Sequence, residues 1–213
     1  MKLSGFAAGP YKTNTYLLEN DGTVAVVDPG MHTHDRIVAH LSENSLTLEA
    51  IILTHGHLDH TRDAGDLARR FDVPVYIHPE DAFMLEAGKG GSPQTRAMFD
   101  ADKMTPVDDV RDLVAGETAT FVGHDFEVLH APGHSPGSVL LVTEEFAIVG
   151  DVVFRGSIGR TDLAFSDPAA MDATLRGPVW GLADKLALLP GHGPTTTMRA
   201  ERVSNPFLTS LGQ

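Results

Sequence analysis

Ala50-Ile51-Ile52-Leu53-Thr54-His55-Gly56-His57-Leu58-Asp59-His60 joins an apolar run to four side chains that bind metal ions well. The run reads as a buried strand, and the polar residues after it as a loop at the strand end. Imidazole nitrogens and a carboxylate oxygen at this density suit zinc or a neighbouring first-row metal. Burying so much polarity without an ion would be costly. Four ligands in one short loop cannot all close on a single ion without strain, so the spacing divides them between two.

More ligands must then come from downstream, and three candidates stand in similar settings. They are His134 in Ala131-Pro132-Gly133-His134-Ser135-Pro136-Gly137-Ser138, Asp151 in Val149-Gly150-Asp151, and His192 in Leu189-Pro190-Gly191-His192-Gly193-Pro194. Each follows an apolar strand-like run and a glycine, which lets the chain turn so that the next side chain enters a shared rim cavity. Of the eleven histidines, His32, His34, His40, His78, His124 and His130 lack that setting. These read as surface or locally hydrogen-bonded residues.

The series His-x-His-x-Asp-His, Gly-His-Ser-Pro-Gly-Ser, Gly-Asp and Gly-His-Gly resembles the metallo-β-lactamase superfamily, most closely its glyoxalase II-like hydrolases. Thr13-Asn14-Thr15-Tyr16-Leu17-Leu18 and Val27-Asp28-Pro29-Gly30 extend the resemblance over nearly the whole chain. It implies an α/β fold, an αβ/βα four-layer sandwich of two mixed sheets with helices outside and the site along one edge. It also implies one domain over residues 1–213, without the carboxy-terminal helical domain of longer glyoxalase II enzymes. In the family pattern His55, His57 and His134 bind one metal, Asp59, His60 and His192 bind the other, and Asp151 bridges them. The implied cofactors are two divalent ions, zinc foremost, with iron or manganese as alternatives.

Two further residues take roles from the same resemblance. Asp28 matches an aspartate near the metals that orients a ligand histidine or bound water; the structural alternative is a strand-end turn before Pro29. Arg160, in Ser157-Ile158-Gly159-Arg160-Thr161-Asp162, matches a basic residue that contacts the thiol conjugate in glyoxalase II. A pairing of Arg160 with Asp162 that merely holds the loop is equally open.

Two metals sharing a carboxylate lower the pKa of a water held between them from about 15.7 towards 7. The resulting hydroxide is the nucleophile, with Asp59 and Asp151 as the carboxylates of the catalytic centre. A thiolate leaves readily, so a thioester needs no strong general acid. The expected activity is hydrolysis of S-(2-hydroxyacyl) thiol conjugates such as S-lactoylglutathione. The alternatives are a mononuclear iron persulfide dioxygenase, whose Gly-Arg-Thr-Asp motif is similar, and another hydrolase of this superfamily. His57 stands where related flavodiiron oxidoreductases carry glutamate, which points to hydrolysis rather than oxygen reduction.

Composition narrows the setting. At 213 residues and 42% hydrophobic, the chain fits one large domain with a sizeable core. It has no cysteine, which excludes thiolate ligands, a thiol nucleophile and disulfides. A formal charge of -13 argues against nucleic acid as a partner. Neither a signal peptide nor a bilayer-spanning run is evident, so a cytoplasmic protein acting on a small-molecule thioester, off the membrane, is expected.

Strands are expected near 2–7, 14–19, 23–28, 49–53 and 73–77, and helices near 33–43 and 60–71. In the second helix Asp63, Leu67 and Phe71, with Ala64 and Ala68, would make one face against a sheet. Residues 87–112 carry many glycines, prolines and aspartates without a period, and read as a long excursion near the site. Strand patterns return over 117–150, at Phe126–Leu129, Val139–Val142 and Phe146–Val149. A helix near 168–183, a strand near 185–189 and a helix near 195–203 complete the reading.

Overall fold

A computed structural model describes residues 1–86 and 89–212. Strands β1 (Lys2–Ala8), β2 (Thr13–Asn20), β3 (Thr23–Val27), β4 (Thr47–Ile52), β5 (Val75–Ile77) and β6 (Val110–Asp112) form one sheet in that order. The first three are antiparallel and the last four pair in parallel. A second sheet takes β7 (Thr118–Phe121), β8 (His124–His130), β9 (Val139–Val142) and β10 (Phe146–Gly150). Strands β11 (Val153–Phe154) and β12 (Ser157–Ile158) make a separate hairpin, and β13 (Ala187–Pro190) and β14 (Thr196–Thr197) complete the second sheet in the order β14-β13-β10-β9-β8-β7. There β10 and β13 are parallel and the other pairs antiparallel.

Side-chain alternation along the strands builds the layers. Ala25 and Val27 of β3, Ala50 and Ile52 of β4, Val139 and Leu141 of β9 and Phe146 and Ile148 of β10 meet in the core between the sheets. The opposite faces bury against helices. Val24, Val26 and Ile51 pack with Ile37 and Leu41 of α1 (His34–Glu43). After the short α2 (Leu58–Thr61), helix α3 (Ala64–Phe71) adds Ala64, Leu67 and Ala68 to the same cluster. A further helix, α4 (Pro93–Met98), precedes the second sheet. On that sheet's outer face, Leu140, Ala147 and Leu188 pack with Met171 of α5 (Pro168–Thr174), Met198 of α6 (Met198–Ser204) and Leu208 of α7 (Pro206–Thr209). The result is the expected αβ/βα four-layer sandwich with two mixed sheets.

Parallel pairing sends the carboxyl ends of β3 and β4 to one edge, and does the same for β10 and β13. At that edge the sheets touch. The Val139 N–H donates to the Thr54 carbonyl at 3.0 Å, and the Asn14 N–H donates to the Gly191 carbonyl at 2.7 Å.

Two expectations need correction. The helix foreseen over 60–71 is split into α2 and α3, because Asp63 turns inward instead of joining the apolar face. Its Oδ2 accepts from the N–H groups of Thr33 at 2.8 Å and His34 at 3.0 Å, satisfying the free amino end of α1. Residues 89–112 are also more regular than foreseen. Ser92 caps α4 by accepting from the Thr95 N–H, with Pro93 in the first turn, and Phe99 and Ala101 bury against Leu58. The segment then supplies the edge strand β6. Ala87 and Gly88, part of that expectation, lie outside the described residues.

Candidate metal centre

The loop after β4, the β8–β9 connection, the turn after β10 and the turn after β13 bring His55, His57, Asp59, His60, His134, Asp151 and His192 together. Their donor atoms fall into two clusters. His55, His57 and His134 form one, with His57 Nδ1 at 2.8 Å from His134 Nε2. Asp59, His60 and His192 form the other, with His192 Nε2 at 3.2 Å from Asp59 Oδ2. Asp151 stands between them: its Oδ1 lies 3.4 Å from His60 Nε2, and its Oδ2 lies 3.4 Å from both His134 Nε2 and His192 Nε2.

Outer partners aim the imidazoles. His134 Nδ1 donates to the Arg160 carbonyl at 2.8 Å, His60 Nδ1 to Asp28 Oδ2 at 2.9 Å and His192 Nδ1 to the Tyr11 carbonyl at 3.1 Å. In each case Nε2 is left facing the cluster. Asp28 also accepts from the Thr54 N–H at 2.8 Å and the Thr54 hydroxyl at 2.7 Å. Asp28 thus lies at the end of its strand and against His60 at once. Thr13 donates its hydroxyl to Asp59 Oδ2 at 3.0 Å, while Asn14 and Tyr16 side chains donate to the Pro190 carbonyl and hold the His192 turn.

Electrostatics divide the clusters. Burial, then the neighbouring imidazoles of His60, His57 and His134, hold His55 well below the usual histidine range. Burial and His134 push His57 down to about 3. Burial also works against charge on His60, yet the carboxylates of Asp59, Asp151 and Asp28 hold it well above that range. Hydrogen bonds to Asp151 and Asp59 likewise overcome burial at His192 and push it up to about 9. Asp151 is held well below the carboxylate range because His60 and the hydrogen bond from His192 outweigh its burial.

The donor set fits metal ions. His55 Nε2 and Asp151 Oδ1 are buried without a hydrogen-bond partner, a costly condition that an ion relieves for donors aimed at it. Five imidazoles and two carboxylates suit zinc, iron or manganese. This is a His/Asp metal-binding site.

Arg160 does not point into the clusters. Its guanidinium is exposed and paired with Asp162 at 2.8 and 2.9 Å, while its backbone carbonyl holds His134. Of the histidines set aside, His34 and His40 pair with Asp35 and Glu19. His78, Glu80 and His130 lie close enough to suggest another ion site, but the two rings are stacked at 4.4 Å and 12°. Lone pairs in near-parallel planes run side by side and do not converge on one ion. His130 Nε2 instead bonds the Pro136 carbonyl at 2.8 Å.

Several residues of the site escaped the sequence reading. Tyr11 and Phe165 are 45% and 54% exposed and flank it: the Tyr11 carbonyl binds His192, and Ser166, next to Phe165, donates to the His134 carbonyl at 2.7 Å. Phe165 has φ of +68°, a left-handed backbone uncommon for a bulky residue, and its ring packs edge-on against Phe83. No local pattern announces either aromatic.

Fold and site together define a metallo-hydrolase with a buried, histidine-rich centre. The chain belongs to the metallo-beta-lactamase superfamily, whose family model matches residues 8–192. Among its relatives, "Probable metallo-hydrolase YqgX" of Bacillus subtilis is 35% identical, over 99% of both chains. "Hydroxyacylglutathione hydrolase GloC" of Haemophilus influenzae is 34% identical, over 90% of both. Two solved structures are similar throughout. The BLEG-1 B3 metallo-beta-lactamase has a TM-score of 0.84 at 34% identity, covering 98% of this chain and 100% of its own. TTHA1623 in a di-iron-bound form has a TM-score of 0.82 at 36% identity, covering 96% and 100%.

Proposed function

We propose that the protein is a dinuclear metal-dependent thioester hydrolase acting on S-(2-hydroxyacyl) thiol conjugates. The observation that carries the dinuclear reading is the pair of donor clusters sharing Asp151. His55, His57 and His134 would hold one divalent ion, Asp59, His60 and His192 the other, with zinc first and iron or manganese as alternatives. Bound there, the ions would supply an activated water at neutral pH and polarise the substrate carbonyl. The neutral side chains of His55 and His57 are ready to coordinate, and Asp28 and the Arg160 carbonyl keep their neighbours aimed.

The thioester reading draws support from GloC, the relative named as a hydroxyacylglutathione hydrolase. The exposed faces of Tyr11 and Phe165 offer apolar contact to a thiol conjugate beside the metals. Arg160 stands at the same rim and would exchange Asp162 for a substrate carboxylate or amide oxygen.

The test joins metal analysis to turnover. Near two metals per chain with thiol release from S-lactoylglutathione or a related thioester supports the proposal. Loss of activity on chelation should reverse on adding metal. One iron per chain, no thiol release, and oxygen consumption on glutathione persulfide would replace it with a persulfide dioxygenase. Turnover of a β-lactam in place of every thioester would move it to another hydrolase of the superfamily.

A further inference from the structure

Behind the three-histidine cluster lies a buried carboxylate that none of the ligand motifs contains. Asp81 is fully buried in the short 3-10 helix Pro79–Leu85 that follows β5. Its Oδ2 accepts from the Gly56 N–H at 2.8 Å and from Ser135 Oγ at 2.6 Å, and its Oδ1 accepts from the Gly137 N–H at 2.6 Å. Gly56 sits between His55 and His57 on a loop of the first sheet. Ser135 follows His134 on a loop of the second. One carboxylate therefore ties together the two segments that supply all three imidazoles. Gly56 permits this approach, since a Cβ there would stand 2.8 Å from the Asp81 carbonyl oxygen and 2.7 Å from Met84 Cβ.

We propose that Asp81 is a positioning residue for the metal of the His55, His57 and His134 cluster. It sets the spacing of the two loops, and through them the convergence of the rings, without touching the ion. All its contacts are donors, with two on one oxygen and one on the other. An amide cannot replace it, because its NH2 group would face an N–H of either Gly56 or Gly137. The Asp59, His60 and His192 cluster depends on other ties, among them the Thr13 hydroxyl on Asp59. The two halves of the site should therefore respond to different outer residues.

This inference concerns metal binding and not the substrate, so it can fail while the thioester reading stands, and the reverse. The experiment is a Co2+ titration of chelator-stripped protein, followed by absorbance, with folding and melting checked by circular dichroism. The binding step missing from His57→Ala identifies the three-histidine half. Asp81→Asn is expected to weaken that step by about 10- to 100-fold and to leave the other unchanged. Ser135→Ala, which removes one tie, should weaken the same step by about fivefold. Thr13→Val should weaken only the other step. Equal weakening of both steps by Asp81→Asn would make Asp81 a general fold residue and overturn the proposal, as would no weakening. If Asp81→Asn does not fold, Ser135→Ala decides: an unchanged three-histidine step overturns the proposal, and a selective loss upholds it.

Discussion

His60 Nδ1 lies 2.9 Å from Asp28 Oδ2, with both residues buried, and this one bond turns Nε2 towards Asp59, Asp151 and His192. The same carboxylate holds Thr54, whose hydroxyl lies 3.1 Å from His55 Nδ1. Asp28→Ala should therefore lower metal affinity by about 10- to 100-fold. Competition with a chromophoric chelator measures it, and an affinity equal to that of the unaltered protein would count against the role given to Asp28.

Metal uptake should release protons. Without metal, His60 and His192 hold protons at neutral pH, since their carboxylate neighbours raise both, His192 to about 9. His55 and His57 stay neutral. Binding at neutral pH should then expel the extra protons of His60 and His192, and affinity should climb as pH rises through about 9, where His192 gives up its own. Calorimetry in buffers of different ionisation enthalpy counts them. In the metal-free protein the raised His192 stabilises the fold below its unfolded pKa of about 6.5, and that stability is lost as pH rises through about 9.

Gly191 offers a steric test. A Cβ at this position would stand 2.1 Å from Asp151 Oδ1 and 2.5 Å from His60 Cε1. Gly191→Ala must displace both or shift its own turn, and kcat/KM should fall by about 100-fold or more, together with metal content. Normal metal content and turnover in this variant would contradict the placement of Asp151 between the clusters.

Arg160 and Asp162 can be separated kinetically. If Arg160 binds substrate, Arg160→Ala removes a charged hydrogen bond and raises KM about tenfold or more with kcat nearly unchanged. Asp162→Ala, which frees the guanidinium, should leave KM equal or lower. An unaltered KM in Arg160→Ala would return Arg160 to holding its loop through Asp162.

Much of this centre is legible along the chain because its signals are local. Four ligand-type residues follow one apolar strand, and His134, Asp151 and His192 each follow a glycine after another. The helix foreseen over 60–71 misled because Asp63 keeps helical spacing with Leu67, while its actual partner is the amino end of α1, thirty residues earlier. The capping signal Ser92-Pro93 was readable, but its density of turn residues made the surrounding segment look irregular.

Asp81 shows the limit of such reading. In His78-Pro79-Glu80-Asp81 it resembles an acid in the first turn of a helix, and nothing nearby marks it as the link between Gly56 and Ser135. The sequence by itself determined the residue types of the centre, the strands that carry them and their nitrogen and oxygen chemistry, since these follow from short-range pattern. The family resemblance already divided the donors between two ions; only the tertiary structure decided which backbone carbonyl or carboxylate aims the rings, and that Arg160 faces Asp162. Those choices depend on how two separately paired sheets meet at one edge, and contacts between residues so far apart in the chain leave no periodic trace in it.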